Sequence, residues 1–234
     1  MTIFKKLALL AAVAACAALP DVAAHAAPAG GGAASSMPSA PARARTPEEM
    51  ARSAFNSGLR QIKKADGYSD DAEEAAKPEK RAKAEKKAIG AYEEAAEHFQ
   101  KSVEHAPANH DAWNYLGYAQ RHLGRNEAAL ASYARALKLK PGFPEAIEYR
   151  AEAYTALNRF DEAREAYMDL FGRARPLADR LLASMKKQVA VKRQAAVGVT
   201  PEALEAFAKW VEERATIAQQ TASLGTSSGG QNWR

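Results

Sequence analysis

Cysteine is nearly absent from this 234-residue chain: Cys16 stands alone, so no disulfide framework can brace the fold in any compartment. The signatures of metal and nucleophile chemistry are missing too. No HExxH stretch or cysteine-rich spacing offers the three or four converging donors that a metal site needs. No serine sits in a G-x-S-x-G turn, and Gly30-Gly31-Gly32 lies in a run of small residues ahead of any folded element, not in a phosphate-binding loop. Of the five histidines, His25 falls near the N-terminal apolar stretch. His98 and His105 are seven apart and could share a helix face, but they, His110 and His122 read as satisfied or solvated side chains. Carboxylates are scattered over every prospective helix face, which leaves acid–base pairs open without pointing to one. The expectation is a binding protein with no catalytic residues, no metal and no cofactor. The formal net charge of +5 is a mild excess and does not by itself imply nucleic acid.

Long apolar runs are also scarce. The longest, Leu7 to Leu19, is too short to span a bilayer core of ~30 Å comfortably. It follows Lys5-Lys6 and precedes Pro20, and Ala24-His25-Ala26 is a small-x-small site, so residues 1–26 have the three parts of a secretory signal peptide. Cleavage would leave Ala27 as the mature start, in a periplasmic or secreted protein. Val13-Ala14-Ala15-Cys16 resembles a bacterial lipobox and offers the other outcome, a lipid anchor at Cys16, although Ala17-Ala18-Leu19 continue the apolar stretch beyond it. Residues 27–45, built from Ala, Gly, Ser and Pro, have too little bulky apolar surface to offset the entropy of ordering and read as a flexible linker.

What the chain does have is a period. Ala95, Ala129 and Ala163 are 34 residues apart, as are Phe99, Tyr133 and Tyr167, and Val103, Leu137 and Phe171. Pro107 and Pro141 keep the same step. A period of about 34 marks helical hairpins stacked in series, each burying its apolar face against its neighbours. The best-formed unit reads Ala112-Trp113-Asn114-Tyr115-Leu116-Gly117, then Leu123-Gly124, Ala129, Tyr133, Ala136-Leu137 and Pro141. It resembles the tetratricopeptide repeat. Gly117 and Ala129 are small where the two helices of one hairpin cross; Trp113, Leu116, Tyr133 and Leu137 are bulky enough to fill the space between hairpins. Gly124 suits a turn with positive φ, and Pro141 ends the second helix. The next unit keeps Ala151, Tyr154, Leu157, Phe160, Ala163 and Tyr167, with Ile147 in the Trp place and Asn158 in the turn place, where Asn tolerates the left-handed conformation.

The resemblance implies an all-α, right-handed superhelix over residues 46–173, with repeats at 110–143 and 144–173 and a split repeat at 48–109. In the split repeat a first helix near 46–64, where Phe55-Asn56-Ser57-Gly58 echoes Trp113 to Gly117, is separated from the second by a charged insertion, 66–90. From Pro78 onward the insertion reads as a helix continuous with 91–104; it is either a solvated extension with i,i+4 charge pairs or a basic arm for an acidic partner or anionic surface. Thr46-Pro47-Glu48-Glu49 and Thr200-Pro201-Glu202 both have the form of N-cap, N1 proline and acidic first turn. Residues 174–222 carry two amphipathic stripes, Leu177, Leu181, Leu182, Met185, Val189 and Leu204, Phe207, Val211, Ala215, expected to cap the open end of the array. Residues 223–234 read as a loose tail, in which Trp233 has no explanation.

In the repeat family a concave face binds protein or peptide segments. The resemblance assigns to it Asp111, Asn114, Tyr118, Arg121 and His122 in one unit and Glu145, Glu148, Glu152, Thr155 and Ala156 in the next. In the split unit it assigns Arg52, Phe55, Leu59, Ile62 and Lys63. Glu145, Glu148 and Glu152 form an acidic stripe that either faces solvent or grips the basic end of a peptide. The terminal-carboxylate clamp of one subclass is missing, since its Asn place holds Tyr118 and Glu152. The implied function is an adaptor or scaffold in the bacterial cell envelope. An outer-membrane-attached lipoprotein and a carrier of a small ligand or cell-wall fragment are the alternatives, the oligomeric state being open.

Overall fold

The structure, a computed structural model, describes residues 43–195 and 198–227; the signal segment, Cys16, most of the linker and Trp233 lie outside the described residues. Eight α-helices and no strands are found among the described residues: α1 (Pro47–Glu74), α2 (Pro78–His105), α3 (His110–His122), α4 (Asn126–Leu139), α5 (Pro144–Ala156), α6 (Phe160–Arg173), α7 (Arg175–Ala195) and α8 (Pro201–Ser227). They pair in chain order into four hairpins, and each hairpin packs on the next. The odd-numbered helices touch one another in sequence and form the inner row, α1, α3, α5 and α7.

Local chemistry sets the boundaries. Thr46 and Glu49 close a capping box: the Glu49 N–H donates to Thr46 Oγ1 at 3.2 Å, and the Thr46 N–H donates to Glu49 Oε2 at 2.9 Å. Asn109 caps α3 by accepting from the Ala112 N–H at 3.1 Å, and Thr200 caps α8 by accepting from the Ala203 N–H at 3.3 Å. The turns between α3 and α4 and between α5 and α6 carry positive φ at Gly124 (71°) and Asn158 (62°), 34 positions apart as the repeat requires. Pro107 and Pro141 sit just beyond the ends of α2 and α4.

Packing inside a hairpin turns on a ring laid over a glycine. A Cβ placed on Gly117 would lie 2.6 Å from Cε1 of Tyr133, and one on Gly58 would lie 2.7 Å from the Phe99 ring, both far inside van der Waals contact. The rings of Tyr133, Phe99 and Tyr167 are fully buried, as are Ala95, Ala129, Ala151 and Ala163. Leu116 is buried and Trp113 half-buried, its indole N–H donating to the Pro107 carbonyl at 2.9 Å.

Two expectations about domain layout need correction. Residues 66–90 are not an insert between two ordinary helices. They lengthen both helices of the first hairpin to 28 residues, about 42 Å at 1.5 Å per residue, against about 20 Å for α3 to α6. The two arms can pair along this extra length because Ala65, Ala72, Ala84 and Ala88 are small and buried there, and Tyr92 donates to Asp66 Oδ1 at 2.7 Å across the seam. The C-terminal helices do more than cap. α7 packs on both α5 and α6 and continues the inner row, while α8 packs on α7 and meets α6 through Phe160 stacked on Phe207 (4.2 Å between centroids) and Tyr167 edge-on to Trp210 (5.4 Å). α8 also runs to Ser227, past the expected limit at 222. The sequence hid the role of α7 because its stripe lacks the small residues of the repeat.

The glycine contacts generate a prediction in which propensity and packing oppose each other. Ala exceeds Gly in a helix interior by about 0.5–1 kcal/mol, whereas overpacking a core costs about 1–3 kcal/mol. Gly117→Ala is therefore expected to lower thermal stability. Gly67→Ala, in open space on α1, is expected to raise it. Melting followed by circular dichroism checks both; a Gly117→Ala variant more stable than wild type would contradict the ring-on-glycine contact.

Candidate binding groove

The inner row lines an open concavity of about 810 Å³ whose walls come from α3 and the start of α4 (Tyr118, Arg121, His122, Asn126), α5 (Glu148, Tyr149, Glu152, Ala156) and α7 (Arg180, Ser184, Lys187, Gln188, Val191, Lys192). A second cavity, about 770 Å³, lies between α7 and the lengthened arms of α1 and α2, and His122, Lys187 and Val191 line both. The arms are drawn onto the groove by two groups. Tyr118 of α3 donates to Asp66 Oδ1 of α1 at 3.0 Å, sharing that acceptor with Tyr92. Glu73, near the end of α1, pairs with Lys187 of α7.

Charge on the floor is arranged in pairs. Arg121 meets Glu152 at 2.9 Å and lies over the rings of Tyr118 and Tyr149, at 5.3 and 5.8 Å from their centroids. Burial opposes the charge on Arg121, but Glu152 and the neighbouring tyrosines more than compensate and raise its pKa above the usual arginine value. Arg180 forks onto Glu148 with bonds of 3.0 and 2.7 Å, a bidentate geometry specific to guanidinium and carboxylate. Glu148 is only 3% exposed, and its burial raises the carboxyl pKa against the opposing pull of Arg180. Burial also raises the pKa of Tyr118, and takes that of Tyr149 to about 12, so both phenols stay protonated.

His122 is neutral on geometric grounds. Arginine N–H groups only donate, so the 3.1 Å contact from Arg121 Nη2 makes His122 Nε2 the acceptor. The ring stacks on Tyr92 at 4.4 Å between centroids, 15° from parallel, and loss of solvation with the adjacent Arg121 charge lowers its pKa to about 3. Lys192 has a different task. Its ammonium donates to the Ala156 carbonyl (2.9 Å), at the C-terminus of α5, and to Asn158 Oδ1 (2.6 Å), in the turn that follows; burial lowers its pKa.

The structure brings Tyr118, Arg121, His122, Glu148, Glu152 and Ala156 together in one concavity, and it disperses the rest. Asn114 is 2% exposed and belongs to the core, as do Ile62 and Thr155. Phe55 stands edge-on to Phe99 and Tyr115, and Leu59 packs on the same cluster; both are half-buried and lie off this cavity. Asp111 pairs with His110, and Glu145, Arg52 and Lys63 lie off the cavity. The acidic stripe is also corrected: Glu148 and Glu152 are engaged by Arg180 and Arg121, so they do not form a free acidic track for a basic peptide end. Sequence reasoning missed Tyr149 and the whole α7 wall. Lys187 and Lys192 left one signal, their position outside the apolar stripe of α7; Arg180 and Val191 left none.

Comparison with known proteins agrees with this geometry. Two family profiles, both described as tetratricopeptide repeat, match residues 85–144 and 121–189. Tetratricopeptide repeats therefore occupy residues 85–189, from within α2 through α3 to α6 and into α7, with α1 and α8 outside the matched span. Similar solved structures include the first such domain of Spaghetti (RPAP3) bound to an HSP90 peptide, at 19% identity and TM-score 0.41, over 58% of this chain and 95% of that one. The MamA protein is another, at 17% identity and TM-score 0.31, over 65% of this chain and 99% of that one. No curated protein matches the chain. Among the described residues no helix is long and apolar enough to cross a membrane.

Two outcomes follow from the paired charges. Removing Arg180 leaves the Glu148 carboxylate buried without its partner, a loss of about 1–3 kcal/mol. Arg180→Ala is therefore expected to destabilise the fold near pH 7 and less so at lower pH, where Glu148 takes up a proton; adding Glu148→Gln restores most of the loss. Urea titrations of the three variants at two pH values measure this. Folding lowers the His122 pKa below its unfolded value near 6.5, so its contribution to stability is complete above about pH 6.5 and declines as pH falls, damped by the exposure of the side chain. His122→Phe, which keeps a ring against Tyr92, is expected to flatten that acid limb of the melting-temperature profile.

Proposed function

We propose that this protein is an exported adaptor that holds a segment of another protein in the groove formed by α3, α5 and α7. The observation that best supports this is the 810 Å³ cavity walled by three successive inner helices, with tyrosine faces and charged groups held in fixed positions. The carboxylates on its floor are each held by a guanidinium, Glu152 by Arg121 and Glu148 by Arg180, so binding orders little of the protein and the association free energy is not spent on stiffening the groove. Nothing in the arrangement activates a nucleophile, and the work proposed is equilibrium binding, not catalysis.

Placement in the cell envelope rests on residues 1–26, with Lys5-Lys6, the apolar stretch and Ala24-His25-Ala26 in signal-peptide order. Cys16 supports the second form of this reading, an outer-membrane-attached lipoprotein that serves envelope assembly. The cavity volume lies within the range of small-molecule sites, about 300–1,000 Å³, and this favours one further reading, a carrier of a small ligand or cell-wall fragment.

A photo-crosslinking amino acid at Gln188, on the α7 wall, tests the adaptor reading in cells. The expected result is a discrete protein adduct identified by mass spectrometry, absent when the same group replaces exposed Glu165 on α6. Capture of nothing at Gln188, with a small molecule co-purifying in native mass spectrometry, would replace the adaptor by the carrier. Intact mass of the mature chain separates an Ala27 start from a diacylated Cys16 start.

A further inference from the structure

The first hairpin is about twice the length of α3 to α6, and its extra length faces the groove. Four large apolar side chains are exposed among the described residues, Ile89, Leu139, Met168 and Val191. Two of these, Ile89 on α2 (51% exposed) and Val191 on α7 (58%), line the same cavity although 102 positions separate them in the chain. Ala72 and Ala88 line the same space, so its apolar part is flanked by small side chains and not filled. Glu73, Arg81, Glu85 and Lys187 also line it, two charges of each sign, whereas more cations than carboxylates line the neighbouring cavity. Arg121, Arg180, Lys187 and Lys192 line it against two carboxylates, Glu148 and Glu152, with His122 neutral, and the ammonium of Lys192 meets only carbonyl oxygens, those of Ala156 and Asn158. The two cavities meet at His122, Lys187 and Val191.

We infer that the lengthened hairpin is part of the binding surface, and that the occupant is a polypeptide segment with an aliphatic side chain adjoining acidic ones. The aliphatic group enters between Ile89 and Val191, removing both from water. The acidic groups lie over the α7 cations of the cavity, where Arg180 is paired with Glu148, Lys187 with Glu73, and Lys192 alone has no carboxylate partner. This deepens the adaptor reading and rests on it, naming the chemistry of the segment that the groove would hold. It needs no free terminal carboxylate, because the complementary groups are side-chain pockets along α7 and the arm. The Glu73–Lys187 pair lies where the two cavities join, so an acidic residue seated there competes with Glu73 for Lys187.

The test uses the mature chain and three fluorescein-labelled, C-terminally amidated twelve-residue peptides, read by fluorescence anisotropy. One has leucine flanked by glutamates, one replaces the leucine by serine, and one replaces the glutamates by lysines. The expected order is the first tightest by at least tenfold over either of the others, with affinity falling as salt rises. Ile89→Asp and Val191→Asp, both at exposed positions, are expected to abolish the advantage of leucine over serine while circular dichroism is unchanged. Glu73→Gln is expected to tighten the first peptide, because Lys187 loses its competitor. Equal affinity for all three peptides, or binding to none, overturns the inference. The crosslink from Gln188 then reports separately on the adaptor reading: a protein adduct there with no such peptide preference leaves the adaptor standing and sinks only the proposed chemistry of its partner.

Discussion

An aromatic ring laid on a residue without a side chain sets the geometry of this protein. Tyr133 against Gly117 and Phe99 against Gly58 let two helices approach until the ring covers backbone. That approach fixes how far each hairpin is open on its other edge, and so how the next hairpin sits. Small residues at Ala95, Ala129, Ala151 and Ala163, all fully buried, repeat the same economy of volume at the crossings. The groove is a by-product of this packing. With the outer helices held close to the inner ones, the inner row turns a continuous wall to one side, and α7 extends that wall by one more helix.

Electrostatics then decides what the wall presents. A sequence rich in charge could have lined the groove with loose ions, but the floor carries matched pairs, Arg121 with Glu152 and Arg180 with Glu148. Pairing of this kind stabilises little compared with an apolar contact of similar size. Its effect is on order: each guanidinium is held in one orientation, and the tyrosines beneath Arg121 are held with it. The net result is a surface whose residual charge comes from Lys192 of α7, the last helix of the inner row.

The hairpins from α3 to α6 were legible because their signals are local. Spacing of 34, turn residues with positive φ at Gly124 and Asn158, and the prolines after α2 and α4 can all be read within one window of sequence. The continuous helix from Pro78 was legible for the same reason, through its N1 proline and its strong helix formers. What could not be read was partnership at long range. Nothing near Glu148 announces Arg180, and nothing near Glu152 announces that Arg121, one hairpin earlier, will consume its charge. The alanine seam of the first hairpin is equally silent. Ala65, Ala72, Ala84 and Ala88 look like ordinary helix formers until the two arms are laid side by side, so 66–90 reads as an insert when it is an extension. Asn114 is buried where the family register expects a groove position, because the register transfers positions and not the burial of each side chain.

The Glu73–Lys187 pair joins residues 114 positions apart, whereas nearly every other contact in the array lies within a hairpin or between adjacent ones. Neighbour contacts of that sort can form at any point along the chain and spread from there, at little cost in loop closure. The pair between the first arm and the seventh helix can form only after all the intervening units have docked. The distance between the first arm and the seventh helix is thus set by every unit stacked between them, and fraying of the C-terminal hairpin would open the wall that the arm faces.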